Sequence, residues 1–360
     1  MTSKPQGSIF VTGANGGLGS AIVDHIVRSP TLSANYHGLY TIRNPQRAAG
    51  VERSLQKAQT TYHNHNYDLV PLDLSSLSSV RACAADINRR VTEGSLPRIR
   101  ALVLNAAWQE YTTQTWTDDG FDQAFQANYL SHFLLTLLLL QSLDREHGRV
   151  VVLGSWSHDT TDKRNTIGPT GAAYATDQYR QVFPDGQPMD TEKVATGKWS
   201  SLVEHPGDLT SGYRRYGASK LAEVMMMREL SKRIATDPAL SGITVVGVDP
   251  GAMPSNLMTE RGTPLLRFMA KWLTPWLFPL VSWFQPNGDY RTTTQSARDV
   301  LRAAGLLGGN PLPNGTYFNG SQVSDVGPEA KDDVKCKTLW TDGVRFAEVQ
   351  EGDTMLADWR

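Results

Sequence analysis

Two cysteines, Cys83 and Cys336, are all that 360 residues contain. They are too few and too far apart for a disulfide scaffold or a structural zinc site, and no metal centre is expected. A reducing compartment fits that usage. No run of about 18 uninterrupted apolar residues occurs, which argues against a spanning helix. Neither sign of charge dominates, because 35 Lys and Arg face 36 Asp and Glu. Nothing in that balance points to a nucleic-acid partner. Only Met1 to Gly7 precede the first strand candidate, so no secretory leader and a cytoplasmic location are expected. The pattern matches Asn314-Gly-Thr316 and Asn319-Gly-Ser321 are accordingly read as turns rather than glycosylation sites.

What is present is alternation. Short apolar runs at Ser8–Thr12, Gly38–Ile42, Tyr67–Leu72, Arg100–Leu104, Arg149–Leu153 and Ile243–Val248 read as strands, with a last short strand at Thr316–Phe318. Between them, helical spacing covers Leu18–Val27, Pro45–Ala58, Ser76–Val91, Asp119–Leu143, Tyr213–Ile234, Thr294–Ala304 and Ala330–Val344. Near-continuous apolar strands alternating with helices predict an α/β fold, a doubly wound, mostly parallel Rossmann-type sheet with helices on both faces. Residues 1–360 are read as one such domain, since no repeat and no second core is evident. Residues 158–212 break the rhythm. They are rich in Thr, Gly, Asp and Pro and predict an insertion with short helices or a functional lid.

The first strand runs into TGANGGLG, which sets Gly13, Gly17 and Gly19 between a strand and a helix. Glycines there let the backbone approach a pyrophosphate, and the helix start offers it N–H groups and a favourable dipole. No lysine stands where a P-loop needs one. After the second strand the chain reads Thr41-Ile-Arg43-Asn44. A carboxylate at this point would suit a bare ribose. Arg43, with Arg47 one turn on, suits a 2′-phosphate and so NADP. Asp73 can accept from adenine's amino group with Leu74 beside the ring, or can cap the next helix. Asn105-Ala-Ala107 puts small residues where the cofactor ribose crosses the sheet edge.

Tyr216 and Lys220 share a helix face. A free tyrosine titrates near about 10, and an adjacent ammonium is expected to lower that value. Ser155 ends the fifth strand, where open α/β sheets place ligands, and its hydroxyl can join Tyr216 in holding a carbonyl oxygen. Ser157 competes for that role. Asn128, an intrinsically poor helix former within the long helix, can brace a water that relays protons to Lys220.

Taken together and in order, these motifs resemble the short-chain dehydrogenase/reductase superfamily. TGANGGLG matches its TGxxxGxG cofactor motif, which implies cofactor contacts from Gly13, Asn15, Gly17, Leu18 and Gly19. Asp73, Asn105-Ala-Ala107, Asn128, Ser155, Tyr216 with Lys220, and Pro250-Gly251 match its later landmarks. Two departures stand out: Ala107 where the family has glycine, and a long interval between Ser155 and Tyr216. The TIRN segment and the closing GTYFNG resemble retinol dehydrogenase and protochlorophyllide reductase-like members. The length and insertion resemble fungal 3-ketosteroid and secondary-metabolism reductases. The resemblance implies hydride transfer from NADPH to a carbonyl carbon, with Tyr216 donating the proton, Ser155 assisting, Lys220 orienting the cofactor and Asn128 in the relay. It also implies that Arg43, Asn44, Leu74, Pro250, Gly251 and Ser255 lie along the cofactor, and that the long helix forms a homodimer face.

Residues 253–293 are expected to cover the substrate. Within them, 268–284 reads FMAKWLTPWLFPLVSWF, open to three readings: a lid over a lipophilic substrate, core or subunit packing, or a peripheral membrane contact. Two rival functions remain beside carbonyl reduction. One is oxidation of an alcohol, sterol or retinoid-like substrate, and the other is a non-catalytic dinucleotide sensor.

Overall fold

The apolar runs become strands of one sheet. A computed structural model describes residues 5–43, 52, 55–56, 65–167, 171–253, 272, 285, 287–308 and 312–360. The strands are β1 (Gly7–Val11), β2 (Tyr36–Ile42), β3 (Tyr67–Pro71), β4 (Ile99–Leu104), β5 (Arg149–Leu153), β6 (Thr244–Asp249), β7 (Tyr317–Asn319) and β8 (Gln322–Val323). Among the described residues their order is β3-β2-β1-β4-β5-β6-β7-β8. Every pairing is parallel except β7 with β8. The chain winds from β1 out to β3, returns to β4 and winds the other way. This is the expected Rossmann-type arrangement, and its switch point lies between β1 and β4, where such sheets bind ligands.

The main helices are α1 (Gly17–Arg28), α2 (Leu77–Thr92), α3 (Ser131–Leu139), α4 (Ser211–Thr236), α5 (Thr293–Ala303) and α6 (Asp333–Phe346). On one face α1 and α5 pack Ile22, Ile26, Val300 and Leu301 against Ile9, Val103 and Val246. On the other, α2, α3, α4 and α6 cover Phe10, Leu102 and Val150. Strands buried on both faces carry no alternation, which is why they read as solid apolar runs.

Two helices depart from the spacing. The long helix, predicted from Asp119, begins only after Asp122, whose carboxylate accepts from Ala124 N at 3.0 Å. It opens in a π turn, Phe125–Leu130, before α3. The final helix is two pieces, Pro328–Lys331 and α6, because Asp332 leaves helical geometry and caps the second piece at Val334 N and Lys335 N. Every residue of α3 is buried within this one chain. The Trp340 ring of α6 meets Phe133 edge-on at 4.9 Å, and Tyr129 donates to Leu339 O. Helix α6 thus packs along α4 and meets the long helix at Phe133 and Tyr129. Asn314 sits in a turn, its side chain bonded to Ser231 O, whereas Asn319 is the last residue of β7, its side chain bonded to Arg291, and the turn begins at Gly320.

The 158–212 insertion is ordered over most of its length. Short helical turns place Tyr174, Tyr179, Phe183 and Trp199 in the main core. Two arginines just before Tyr216 fasten it. Arg214 lies over the Tyr179 ring and bonds Ser200 Oγ, Ala173 O and Asp208. Arg215 donates to Ser200 O and Thr113 O, with its Nε 2.9 Å from Asp122 Oδ2. Asn44, Arg47, Ser255, most of the predicted 45–58 helix and most of 253–293, including 268–284 apart from Trp272, lie outside the described residues. No helix among the described residues is long and apolar enough to cross a membrane.

Burial holds the Asp122 carboxyl up at about 6, with Arg215 pulling it down. Arg215→Ala is expected to strand Asp122 and Glu110 and to cost ~3–5 kcal/mol of stability in urea unfolding. A loss within a few tenths of a kcal/mol would show that the insertion does not depend on this arginine.

Candidate functional site

The site follows the C-terminal edge of the sheet, from the β1–α1 turn to β6. Gly13 has φ of 64°, a left-handed conformation that other residues adopt only at a cost. At Gly19 a Cβ would stand 2.2 Å from Gly13 O, so only hydrogen fits. Leu18 is buried and roots α1 in the core, while Asn15 is exposed. No side chain caps α1, and its first turn carries no acid. The turn and this open helix start fit a pyrophosphate.

Asn105 and Ala106 are held against this turn rather than turned out to solvent. Their N–H groups donate to Thr12 Oγ1 at 2.8 and 2.9 Å, and Asn105 Nδ2 donates to Thr12 O. The Cα and Cβ of Ala106 sit 3.0 Å from where a Gly13 Cβ would be, so the missing side chain of Gly13 makes room for this loop. Ala107 remains partly exposed beside it.

Arg43 is exposed at the end of β2, its guanidinium 5.4 Å from the Trp108 ring centre. Asp73 Oδ1 accepts from Ser75 N and Ser75 Oγ. The cap of α2 is Ser76, so the capping alternative for Asp73 gives way to a tight turn that orients its carboxylate. Leu74 is buried, and its carbonyl accepts from Ser131 Oγ.

At the reacting end, the structure joins residues that the insertion separates in sequence. Ser155 follows β5 and caps a short turn, with Ser157 Oγ donating to Ser155 Oγ at 3.0 Å. Ser157 is buried and supports its neighbour. The Ser155 hydroxyl neighbours the phenol of Tyr216, on α4. Lys220 Nζ lies 5.6 Å from the Tyr216 ring centre and donates to Leu153 O at 2.9 Å.

The expected lowering of Tyr216 is not found. Desolvation by the surrounding protein, then the Glu223 and Asp249 carboxylates, push the phenol above its ordinary value, and the Ser155 hydroxyl offsets them only in part. The physical reason is first the loss of water around the phenol and then Glu223, fully buried with Oε2 2.7 Å from Lys220 Nζ. Its charge cancels the ammonium. Sequence reasoning missed this residue, although a lone acid within Leu221–Met227 was a visible signal.

Asn128 sits in the π turn with no exposure. Its Oδ1 accepts from Trp108 N, and its Nδ2 donates to Trp108 O and Ser219 Oγ. The amide is therefore a strut between the loop after β4 and α4. It reaches the neighbour of Lys220, not Lys220. Its main-chain carbonyl accepts from His132 Nδ1 at 2.7 Å, and His132 Nε2 lies 3.0 Å from Thr12 Oγ1. A neutral ring with Nδ1–H satisfies both contacts.

Beyond β6, Gly251 has φ of 74° and donates to Asp249 Oδ1, while Pro250 O accepts from Ser296 Oγ. The insertion touches this corner. Arg164 stacks on Trp156 and stands 3.6 Å from both the Asp249 and the Asp289 carboxylates.

His158 donates from Nδ1 to Ser155 O and accepts Gly327 N at Nε2. Burial lowers its pKa from the ordinary 6.5. The folded protein thus keeps the ring neutral where the unfolded chain takes up a proton. Its contribution is complete above pH 6.5 and is lost progressively as the pH falls below that value. His65, pushed down to about 4 by burial, acts in the same window. Thermal melts of wild type and His158→Gln are therefore compared at about pH 7.5 and about pH 5. The variant is expected to lose less stability on acidification, and an equal loss would dismiss the assignment.

The short chain dehydrogenase family model matches residues 8–166. The chain is 54% identical to the short-chain dehydrogenase iccH of Talaromyces variabilis, over 98% of this chain and 99% of that one. It is 26% identical to protochlorophyllide reductase A of Oryza sativa subsp. japonica, over 93% of this chain and 79% of that one. An NADPH-bound carbonyl reductase from chicken fatty liver shares the fold at 19% identity with a TM-score of 0.53, covering 89% of this chain and 99% of that one.

Proposed function

The chain belongs to the short-chain dehydrogenase family, and on that footing we propose that it reduces a ketone or aldehyde on a lipophilic small molecule, using NADPH. The observation that carries this reading is the convergence of Ser155, just after β5, with Tyr216 and Lys220 of α4, the Lys220 ammonium 5.6 Å from the Tyr216 ring centre, along the same sheet edge as an open helix start. A neutral phenol is the form that donates a proton to a substrate oxygen.

The α1 start, Gly13 and Gly19 would hold the pyrophosphate, Arg43 the 2′-phosphate, and Lys220 the nicotinamide ribose. When bound, NADPH supplies a hydride to the carbonyl carbon. Ser155 holds the carbonyl oxygen by its hydroxyl and steadies the charge that develops there. Tyr216 gives its proton to that oxygen and completes the alcohol. Lys220, 5.6 Å from the Tyr216 ring centre, would return a proton to the phenolate. Asn128 keeps the loop after β4 against α4 and so fixes the floor on which the substrate carbonyl rests. The likeness to carbonyl and protochlorophyllide reductases supports a carbonyl or other unsaturated lipophilic substrate.

Tyr216→Phe is expected to lower NADPH-dependent turnover of a substrate ketone by roughly 10²–10⁴-fold, with NADPH binding followed by fluorescence retained. Unchanged turnover would remove Tyr216 from the chemistry. Arg43→Ala should raise KM for NADPH at least about tenfold while leaving KM for NADH unaltered. Equal effects on both cofactors would detach Arg43 from the 2′-phosphate.

A further inference from the structure

Glu223 is a carboxylate in a place that is costly for one. It has no solvent exposure, and a buried charge needs partners. Oε2 stands 2.7 Å from Lys220 Nζ and Oε1 3.5 Å from His132 Nδ1. Neither oxygen has a well-aligned hydrogen-bond donor among the described residues. The ammonium is therefore the main compensation that Glu223 has, and Glu223 the main compensation that the ammonium has.

The lysine has three N–H bonds. Leu153 O takes one of them, and Glu223 Oε2 lies 2.7 Å from the nitrogen as a charge partner rather than an aligned acceptor. The groups that face this pair come from four directions. Tyr216 is on α4 itself, His132 comes from α3, and Asp249 and Tyr317 come from the ends of β6 and β7. Among the described residues Asp249 is the other carboxylate acting on Tyr216, so Glu223 weighs directly on the balance between Lys220 and a negative field at the phenol.

Building on the proposed reduction, we propose that Glu223 is a positioning residue for Lys220: it balances the ammonium and, with Leu153 O, holds it beside Tyr216. His132 ties this pair to the cofactor turn. Its Nδ1 points to Asn128 O and toward Glu223, and its Nε2 to Thr12 Oγ1, the hydroxyl that accepts Asn105 N and Ala106 N. Movement of the loop after β4 is thereby coupled to the side chain that holds Lys220.

The test is Glu223→Gln, read first without cofactor. Phenol ionisation is followed by absorbance near about 295 nm, and the Tyr216→Phe counterpart is subtracted so that one phenol is seen. Removing the negative charge should move the Tyr216 titration down by about one pH unit or more. In turnover, the high-pH limb of the reductive profile should move the same way. An unmoved titration overturns the assignment, and so does a variant that differs only in melting temperature. If the glutamine variant does not fold, Glu223→Asp decides. Its carboxylate is drawn back by one methylene and should shift the titration in the same direction by less, and no shift overturns the assignment. Because the titration needs no turnover, a wild-type chain that fails to reduce any carbonyl would sink the proposed function while leaving this test intact.

Discussion

A lysine ammonium with almost no water around it has to find its compensation inside the protein, and the reacting end of this molecule is arranged around where Lys220 finds it. Lys220 is 2% exposed. A buried ion pair gains little net stability over an apolar one, but leaving either partner alone is costly. Lys220 and Glu223 therefore constrain each other, and their spacing on α4 keeps the pair rigid. The carbonyl of Leu153 ties the ammonium to the end of β5, two residues before Ser155. One contact thus fixes the distance between the helix that carries Tyr216 and the strand end that carries Ser155.

A second constraint lies across the switch point. Thr12 follows β1 directly, and its hydroxyl gathers Asn105 N, Ala106 N and the His132 ring. The glycine-rich turn, the loop after β4 and α3 are thereby one mechanical unit. Asn128 extends that unit to α4 through Ser219. The two ends of the site, one suited to phosphates and one to a reacting carbonyl, are held by the same set of buried polar groups. Such groups have to be satisfied together, which is why they specify a geometry as well as a fold.

The insertion turns out to be part of the core and not a loose flap. Arg214 and Arg215 precede Tyr216 directly, so the residues that anchor the insertion also set the first turn of the catalytic helix. Arg164 brings the same insertion to Asp249. The pocket around Tyr216 is therefore bounded by the segment whose sequence carries least periodicity. Helix α6 adds a further boundary by packing along α4 and meeting the long helix at Phe133.

The sheet was legible because strands covered on both faces must be apolar at every position, and β5 falls on the residues that the pattern names. The cofactor turn was legible because few residues other than glycine can occupy Gly13 and Gly19. Tyr216, Lys220 and Ser155 were legible as residue types in order. What local pattern could not supply was charge balance. Whether Lys220 lowers or fails to lower Tyr216 depends on Glu223, Asp249 and the loss of water, which come from different elements. The use of Asn128 as a strut, Asp73 as a turn former and Arg215 as the anchor of an insertion likewise depends on partners far along the chain. The sequence by itself determined which groups are present and on which elements they ride, because periodicity and backbone freedom are local. Only the tertiary structure decided how those groups share charge and hydrogen bonds, because desolvation and Coulomb forces act between neighbours in space.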